Sequence, residues 1–167
     1  MIQGKNINLF PLSLNDMKNF LSGSLHVRDF NFDHFVLEDL QVGAMKKKIA
    51  KMETVKDQDH VWYTYWLIVS AQSNEAMGMI GFKGFEESKS FEVGYGITKA
   101  FEGKGYTSEA LSLLLEWSFE RPECKRVTAK NVSVKNIGSQ KVLLRNGFKV
   151  FQTFEDTIDY EICKDKA

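Results

Sequence analysis

The stretch Thr98-Lys99-Ala100-Phe101-Glu102-Gly103-Lys104-Gly105-Tyr106-Thr107-Ser108-Glu109-Ala110 joins a predicted strand to a predicted helix. Upstream, Phe91 to Ile97 alternates strictly, with Phe91, Val93, Tyr95 and Ile97 on one face and Glu92, Gly94 and Gly96 on the other. The first face is expected to pack; the second is expected to be open backbone beside one carboxylate. Downstream, Ala110, Leu111, Leu114, Leu115 and Phe119 recur at helical spacing between Tyr106 and Phe119, and Pro122 stops the helix. Gly103 and Gly105 let the chain turn tightly and let a ligand approach the backbone. The first N–H groups of the helix and its positive dipole end favour an anion there, and the geometry suits a pyrophosphate.

Two phosphate-binding templates fail on this loop. A Walker A loop would need glycine at Thr98 and serine or threonine at Gly105, and a dinucleotide-binding G-x-G-x-x-G would need glycine at Ser108. The chain before the loop also reads as a meander instead of the first strand of a parallel sheet.

Outward from the loop, strands are expected at Ile7–Phe10, Trp62–Ser70, Ala76–Lys83, Arg126–Lys130, Phe148–Phe154 and Ile158–Cys163. Helices are expected from the Ser13 cap cluster to Leu21, over Phe35–Met52, and over Asn136–Arg145 with Gly147 as its stop. Lys46, Lys47, Lys48 and Lys51 read as a solvated helix face. The order is mixed α/β, with hairpins in the first half and crossover helices later.

The chain has 167 residues with 22 Lys+Arg against 22 Asp+Glu, so its formal net charge is zero. That balance excludes disorder and a broadly polybasic nucleic-acid binder. Residues 1–167 read as a single domain, since Pro11 and Pro122 are the only prolines and no Gly/Ser-rich linker occurs. The most apolar run, Val61–Val69, is far short of the ~20 residues of a membrane helix. No signal peptide is visible, and Cys124 and Cys163 form no framework, so a cytoplasmic location is expected. His26, His34 and His60 are dispersed, so no metal site is expected.

The loop Ala100-Phe101-Glu102-Gly103-Lys104-Gly105 resembles the pyrophosphate loop of the GNAT N-acetyltransferases, Q/R-x-x-G-x-G/A, with Ala100 in place of Gln or Arg. Phe91-Glu92-Val93-Gly94-Tyr95, Tyr106-Thr107-Ser108-Glu109-Ala110-Leu111, Asn136-Ile137-Gly138-Ser139 and Asn146-Gly147-Phe148 fall in matching order and spacing. Together they look like the RimJ/RimL-like branch, which acetylates N-termini of ribosomal proteins. A weaker likeness extends to the opening strand, Asn6 to Leu12.

The resemblance implies a GNAT fold: an α/β domain with a mixed, mostly antiparallel sheet, flanked by helices and splayed between the fourth and fifth strands. It implies acetyl-CoA as cosubstrate and an amine acceptor, either a peptide N-terminus or a small amine such as an amino acid, polyamine or aminoglycoside. Tyr95, Gly96, Ile97 and Thr98 would pair with the pantetheine arm; Gly103, Lys104, Gly105, Tyr106, Thr107 and Ser108 would hold the pyrophosphate; Asn136 would contact the cofactor. Ser139 would reach the thioester sulfur. Many family members place a tyrosine acid seven residues after the Asn, where this chain has Leu143.

Glu92, the one carboxylate on the glycine face, is the leading general-base candidate, with Glu155, Asp156, Asp159 and Glu161 as a second set. With no cysteine in a nucleophile motif, direct transfer is expected. Phe30, Phe32 and Phe35 suit either an acceptor pocket or ordinary packing. Two rival readings are a non-catalytic acyl-CoA-binding module and a nucleotide-binding domain. The oligomeric state, monomer or homodimer, is left open.

Overall fold

The computed structural model describes residues 1–165. Its strands are β1 (Ile2–Gln3), β2 (Ile7–Pro11), β3 (Tyr65–Ser70), β4 (Ala76–Glu86), β5 (Ser90–Ile97), β6 (Arg126–Ser133), β7 (Lys149–Thr153) and β8 (Thr157–Cys163). Its α-helices are α1 (Leu14–Leu21), α2 (Asp39–Met52), α3 (Tyr106–Phe119) and α4 (Ile137–Arg145). The strands form one sheet in the order β1-β2-β3-β4-β5-β6-β8-β7. Every neighbouring pair is antiparallel except β5 and β6. This is the mixed, mostly antiparallel sheet that the resemblance implies.

The sheet opens where the resemblance places the splay. β5 and β6 pair only at Ser90–Arg126, Phe91–Val127 and Glu92–Thr128, although β5 runs on to Ile97 and β6 to Ser133. These are the fourth and fifth expected strands; β1, too short to show a pattern, raises the count by one. Beyond Thr128, β6 follows β8 through a register shift between Ala129 and Val132. Asn131 takes a left-handed φ of 57° there, and its N–H donates to Asp159 Oδ1 at 2.8 Å. Past Glu92, that edge of β5 has no strand partner for its backbone groups, which makes it a template for an extended ligand.

Alternation along the strands sends apolar side chains to both faces of the sheet. On one face Trp66, Ile68, Ile80, Phe82, Phe91 and Val93 pack with Leu111 and Leu114 of α3 and Leu143 of α4. On the other, Leu67, Val69 and Met79 pack with Met17 and Phe20 of α1 and Met45 and Met52 of α2. Among the described residues, no helix is long and apolar enough to cross a membrane.

Two element starts differ from expectation by several residues, and one lysine differs by its burial. α2 begins at Asp39, not Phe35, because Glu38 is extended and forms a capping box with Gln41. Phe35 is instead buried against Phe20 and Phe32, with ring centroids 6.2 and 5.5 Å apart. The strand expected from Trp62 begins at Tyr65, since Asp57–Trp62 winds into a 3-10 helix that stacks Trp62 on Phe91 at 4.2 Å. Lys48 departs from the solvated face: it is buried, and its Nζ donates to the carbonyls of Tyr63 and Phe82. Burial, with the charges of Lys83 and Lys51 adding to it and Glu92 opposing, lowers its pKa to about 7.

Candidate active site

Gly103 and Gly105 have φ of 73° and 85°, the left-handed region that costs a side-chain-bearing residue roughly 1–2 kcal/mol. Gly105 is the N-cap of α3 and supplies no side-chain cap, so the first N–H groups of the helix have no intrahelical acceptor. A Cβ added at either glycine would meet nothing within 4 Å. The loop therefore faces open space with unsatisfied donors and the positive end of a 14-residue helix.

That space is a cleft of about 810 Å³ between the loop, the free end of β5 and the start of α4. It brings together Tyr95, Gly96, Ile97, Gly103, Gly105, Tyr106, Thr107, Ser108, Asn136 and Ser139 from the residues singled out in the sequence. Thr98 and Lys104 are not in its lining. Thr98 is held elsewhere: its N–H donates to the Met77 carbonyl at 2.8 Å and its Oγ1 accepts from the N–H of Val36 at 3.4 Å.

The glycine face of β5 is not the open one. A Cβ on Gly96 would lie 2.8 Å from Gln41 Nε2, so α2 covers this face at Gly96. Tyr95 and Ile97 pack against the core that holds Phe91 and Val93, as expected, but they are only half-buried and also line the cleft. The alternation holds along the whole strand, but its fully buried positions end at Val93.

Glu92 also lies outside the cleft lining. Its register partner is Thr128, at the last rung before the strands part. It is 12% exposed and ion-paired with Lys83. The buried hydroxyls of Ser90 and Thr128, its strand neighbours, have no hydrogen-bond partner. The second carboxylate set is largely committed: Asp159 accepts from Asn131 and Glu161 pairs with Arg126, while Glu155 and Asp156 are exposed in the turn between β7 and β8.

Asn136 caps α4, its Oδ1 accepting from the N–H of Ser139 at 3.0 Å. The Ser139 Oγ lies 2.9 Å from the Tyr95 hydroxyl, which bridges β5 to α4 across the gap. Burial raises the Tyr95 pKa to about 12, with the Ser139 hydrogen bond opposing the shift. Leu143 is fully buried in the core beneath.

Sequence reading missed three cations. Lys135, Lys141 and Arg145 line the cleft, the last two at i, i+4 on one side of α4. That spacing was legible, but the cleft that gives it meaning is tertiary. Asn146 shows in the sequence only as part of a motif; in the structure its Nδ2 donates to Ser108 Oγ at 3.1 Å and so fixes the end of α4 to the first turn of α3.

Residues 6–149 match the family model described as "Acetyltransferase (GNAT) domain". The chain belongs to the GNAT acetyltransferase family. GNAT proteins take acetyl-CoA as acyl donor, and the cleft at the splay has the open strand edge and helix N-terminus that such a donor requires. The chain is 35% identical over 95 residues to an uncharacterized N-acetyltransferase, YjdG, of Bacillus subtilis, covering 56% of each chain. It is 35% identical over 78 residues to the ribosomal-protein-serine acetyltransferase of Escherichia coli, covering 46% of this chain and 43% of that one. The matches thus span about half of these two relatives. Among solved structures, a RimL ribosomal L7/L12 alpha-N-protein acetyltransferase in complex with coenzyme A superposes with a TM-score of 0.66 at 18% identity, over 96% of this chain and 95% of that one. At that identity the likeness speaks for the fold.

Proposed function

We propose that this GNAT protein transfers the acetyl group of acetyl-CoA directly to a primary amine at a protein N-terminus, in the manner of the RimJ/RimL-like branch. The observation that carries the transfer is the gap past Glu92 and Thr128, with the anion-binding loop and α3 N-terminus on one side of it. The thioester arm lies along the free edge of β5 at Tyr95 to Ile97, while Gly103, Gly105, Tyr106 and Thr107 donate N–H groups to the pyrophosphate, and Lys135, Lys141 and Arg145 balance its charge. Asn136 orders the first turn of α4 beside the arm, and Ser139 faces the sulfur. The coenzyme thus fixes the carbonyl where the two faces of the sheet communicate.

Glu92 serves as the base, directly or through water, taking the proton that the amine sheds as its nitrogen bonds to the carbonyl carbon. The carbon–sulfur bond then breaks and the thiolate departs. Replacement Glu92→Gln is expected to lower kcat on the order of 10²-fold, at the lower end of what a general base supplies, with acetyl-CoA affinity unchanged by calorimetry. An unaltered kcat would remove Glu92 from the mechanism.

An extended peptide acceptor is favoured by the face that Glu92 occupies. By register, Lys83–Glu92, Glu86–Lys130 and Arg126–Glu161 form three ion pairs on that face, and the side chains other than Glu92, a third to a half exposed, leave room for a chain to lie across the strands. The name of the E. coli relative points the same way. Competition between peptides with free serine or alanine N-termini and free polyamines or amino acids, read as acetylated product by mass spectrometry, tests it. Peptides should win by an order of magnitude or more in kcat/KM; preference for a small amine would overturn the acceptor class and leave the transfer standing.

A further inference from the structure

We propose that Tyr95 is a positioning residue for Ser139, aiming the serine hydroxyl proton into the cleft at the sulfur of the bound thioester; this rests on the transferase reading above. Ser139 belongs to the first turn of α4, and its backbone is fixed because its N–H donates to Asn136 Oδ1 at 3.0 Å. The remaining freedom is rotation of its hydroxyl. The Tyr95 hydroxyl lies 2.9 Å from Ser139 Oγ and 3.4 Å from the Ser139 carbonyl oxygen. Each hydroxyl has a single proton, so there are two arrangements. If the serine donates to the phenol, its proton is consumed and nothing is presented to the cleft. If the phenol donates to the serine, the serine proton must point elsewhere, and the space that both residues line is the cleft.

The second arrangement is favoured on three grounds. A phenol is the more acidic of the two groups and therefore the better donor. The alternative acceptor for the phenol, the Ser139 carbonyl, lies at the long end of the hydrogen-bonding range, and in α4 that carbonyl already serves the helix ladder four residues on. The phenol also stays protonated over the working range, because burial lifts its pKa to about 12.

The role is electrostatic. As the amine nitrogen bonds to the carbonyl carbon and the carbon–sulfur bond breaks, the electron pair passes to sulfur. The Ser139 hydroxyl donates a hydrogen bond to the developing thiolate, which leaves as the anion and takes its proton from water. No proton leaves Ser139 or Tyr95. Fixed donors aimed at charge that develops only in the transition state raise kcat without tightening the ground state.

The test is a cycle of Tyr95→Phe, Ser139→Ala and the double variant, each checked by thermal melt and by calorimetric titration with acetyl-CoA. Tyr95→Phe should lower kcat about tenfold, leave KM for acetyl-CoA within twofold and leave the melt in place. Ser139→Ala should lower kcat by a similar factor, and the double variant should be no slower than Ser139→Ala, since Tyr95 acts through Ser139. Wild-type kcat in Tyr95→Phe, or an undiminished Tyr95 effect on the Ser139→Ala background, would overturn the proposal. A loss seen in KM or in the melting temperature instead of kcat would overturn it too, by making Tyr95 a binding or packing residue. Absence of turnover in the wild-type protein on every amine offered would overturn the transferase reading itself, a distinct outcome.

Discussion

At the scale of single residues, chemistry follows from which face of a strand a side chain occupies and what lies opposite. Glu92 and Tyr95 are three positions apart on β5, so they point to opposite faces: Glu92 to the α1/α2 side, where Lys83 meets it, and Tyr95 to the side of α4. Sequence alternation gave this parity correctly, but not which face would be covered, because cover comes from Gln41, fifty and more residues away. Lys48 shows the same limit. Four lysines in six positions of a helix read as a solvated stripe, yet Lys48 faces the sheet, where two carbonyls receive its ammonium. Its pKa, lowered to about 7 by burial first and by Lys83 and Lys51 next, sets a testable pH dependence. Between pH 7 and the unfolded value of about 10.4, the unfolded chain holds more protons than the native one, so stability rises with pH across that window. The slope of stability against pH, from urea melts, should be smaller in Lys48→Met than in wild type between pH 7 and 10. Identical slopes would show that Lys48 titrates as an exposed lysine.

Elements are held in register by side chains that close on backbone donors. α3 begins at a glycine that offers no cap, and its first-turn Glu109 is turned to another purpose: Oε1 accepts from the N–H of Asn6 at 2.8 Å and Oε2 from the Asn6 side chain at 2.9 Å. The start of β2 is thereby fastened to the helix that carries the pyrophosphate loop. Burial pushes the Glu109 pKa up, but the hydrogen bonds from Asn6, Ile7 and Lys5 outweigh it and the net shift is downward. A carboxylate with a depressed pKa contributes stability that is present above its unfolded value and lost as pH falls through its folded one. Glu109→Gln should therefore cost on the order of 1 kcal/mol at neutral pH, limited by solvent exposure. The gap to wild type in urea melts should close as the pH is lowered below about 4. A gap that persists in acid would assign the loss to packing. The motif Tyr106-Thr107-Ser108-Glu109-Ala110 was visible in the sequence, but its tie to Asn6 spans 103 residues and no local pattern reports it.

For the molecule as a whole, the mixed sheet and its splay followed from the resemblance to the GNAT family, and the order of elements along the chain was legible because strand alternation, the glycine loop and the following helix each impose a local signature. The breadth of the cleft and its charge were not. The glycine loop and the helix start predict an anion site built on backbone N–H groups and the helix dipole, whereas the fold also concentrates Lys135, Lys141 and Arg145 along one wall. Their contribution is expected to be modest and salt-dependent, since they line an open cleft. Charge removal at Lys141 and Arg145 together should weaken coenzyme A binding about tenfold at low salt and less at high salt. Equal loss at both ionic strengths would point to a role other than charge.

In the proposed reaction, the gap between β5 and β6 carries an acetyl group from coenzyme to amine. Thiol release from acetyl-CoA, measured against acetylated product on an amine panel that includes N-terminal peptides, tests it most directly. One thiol should be freed per amine acetylated, with little release when no amine is present. Binding of acetyl-CoA without turnover on any amine would contradict it, leaving an acyl-CoA-binding module on the same fold.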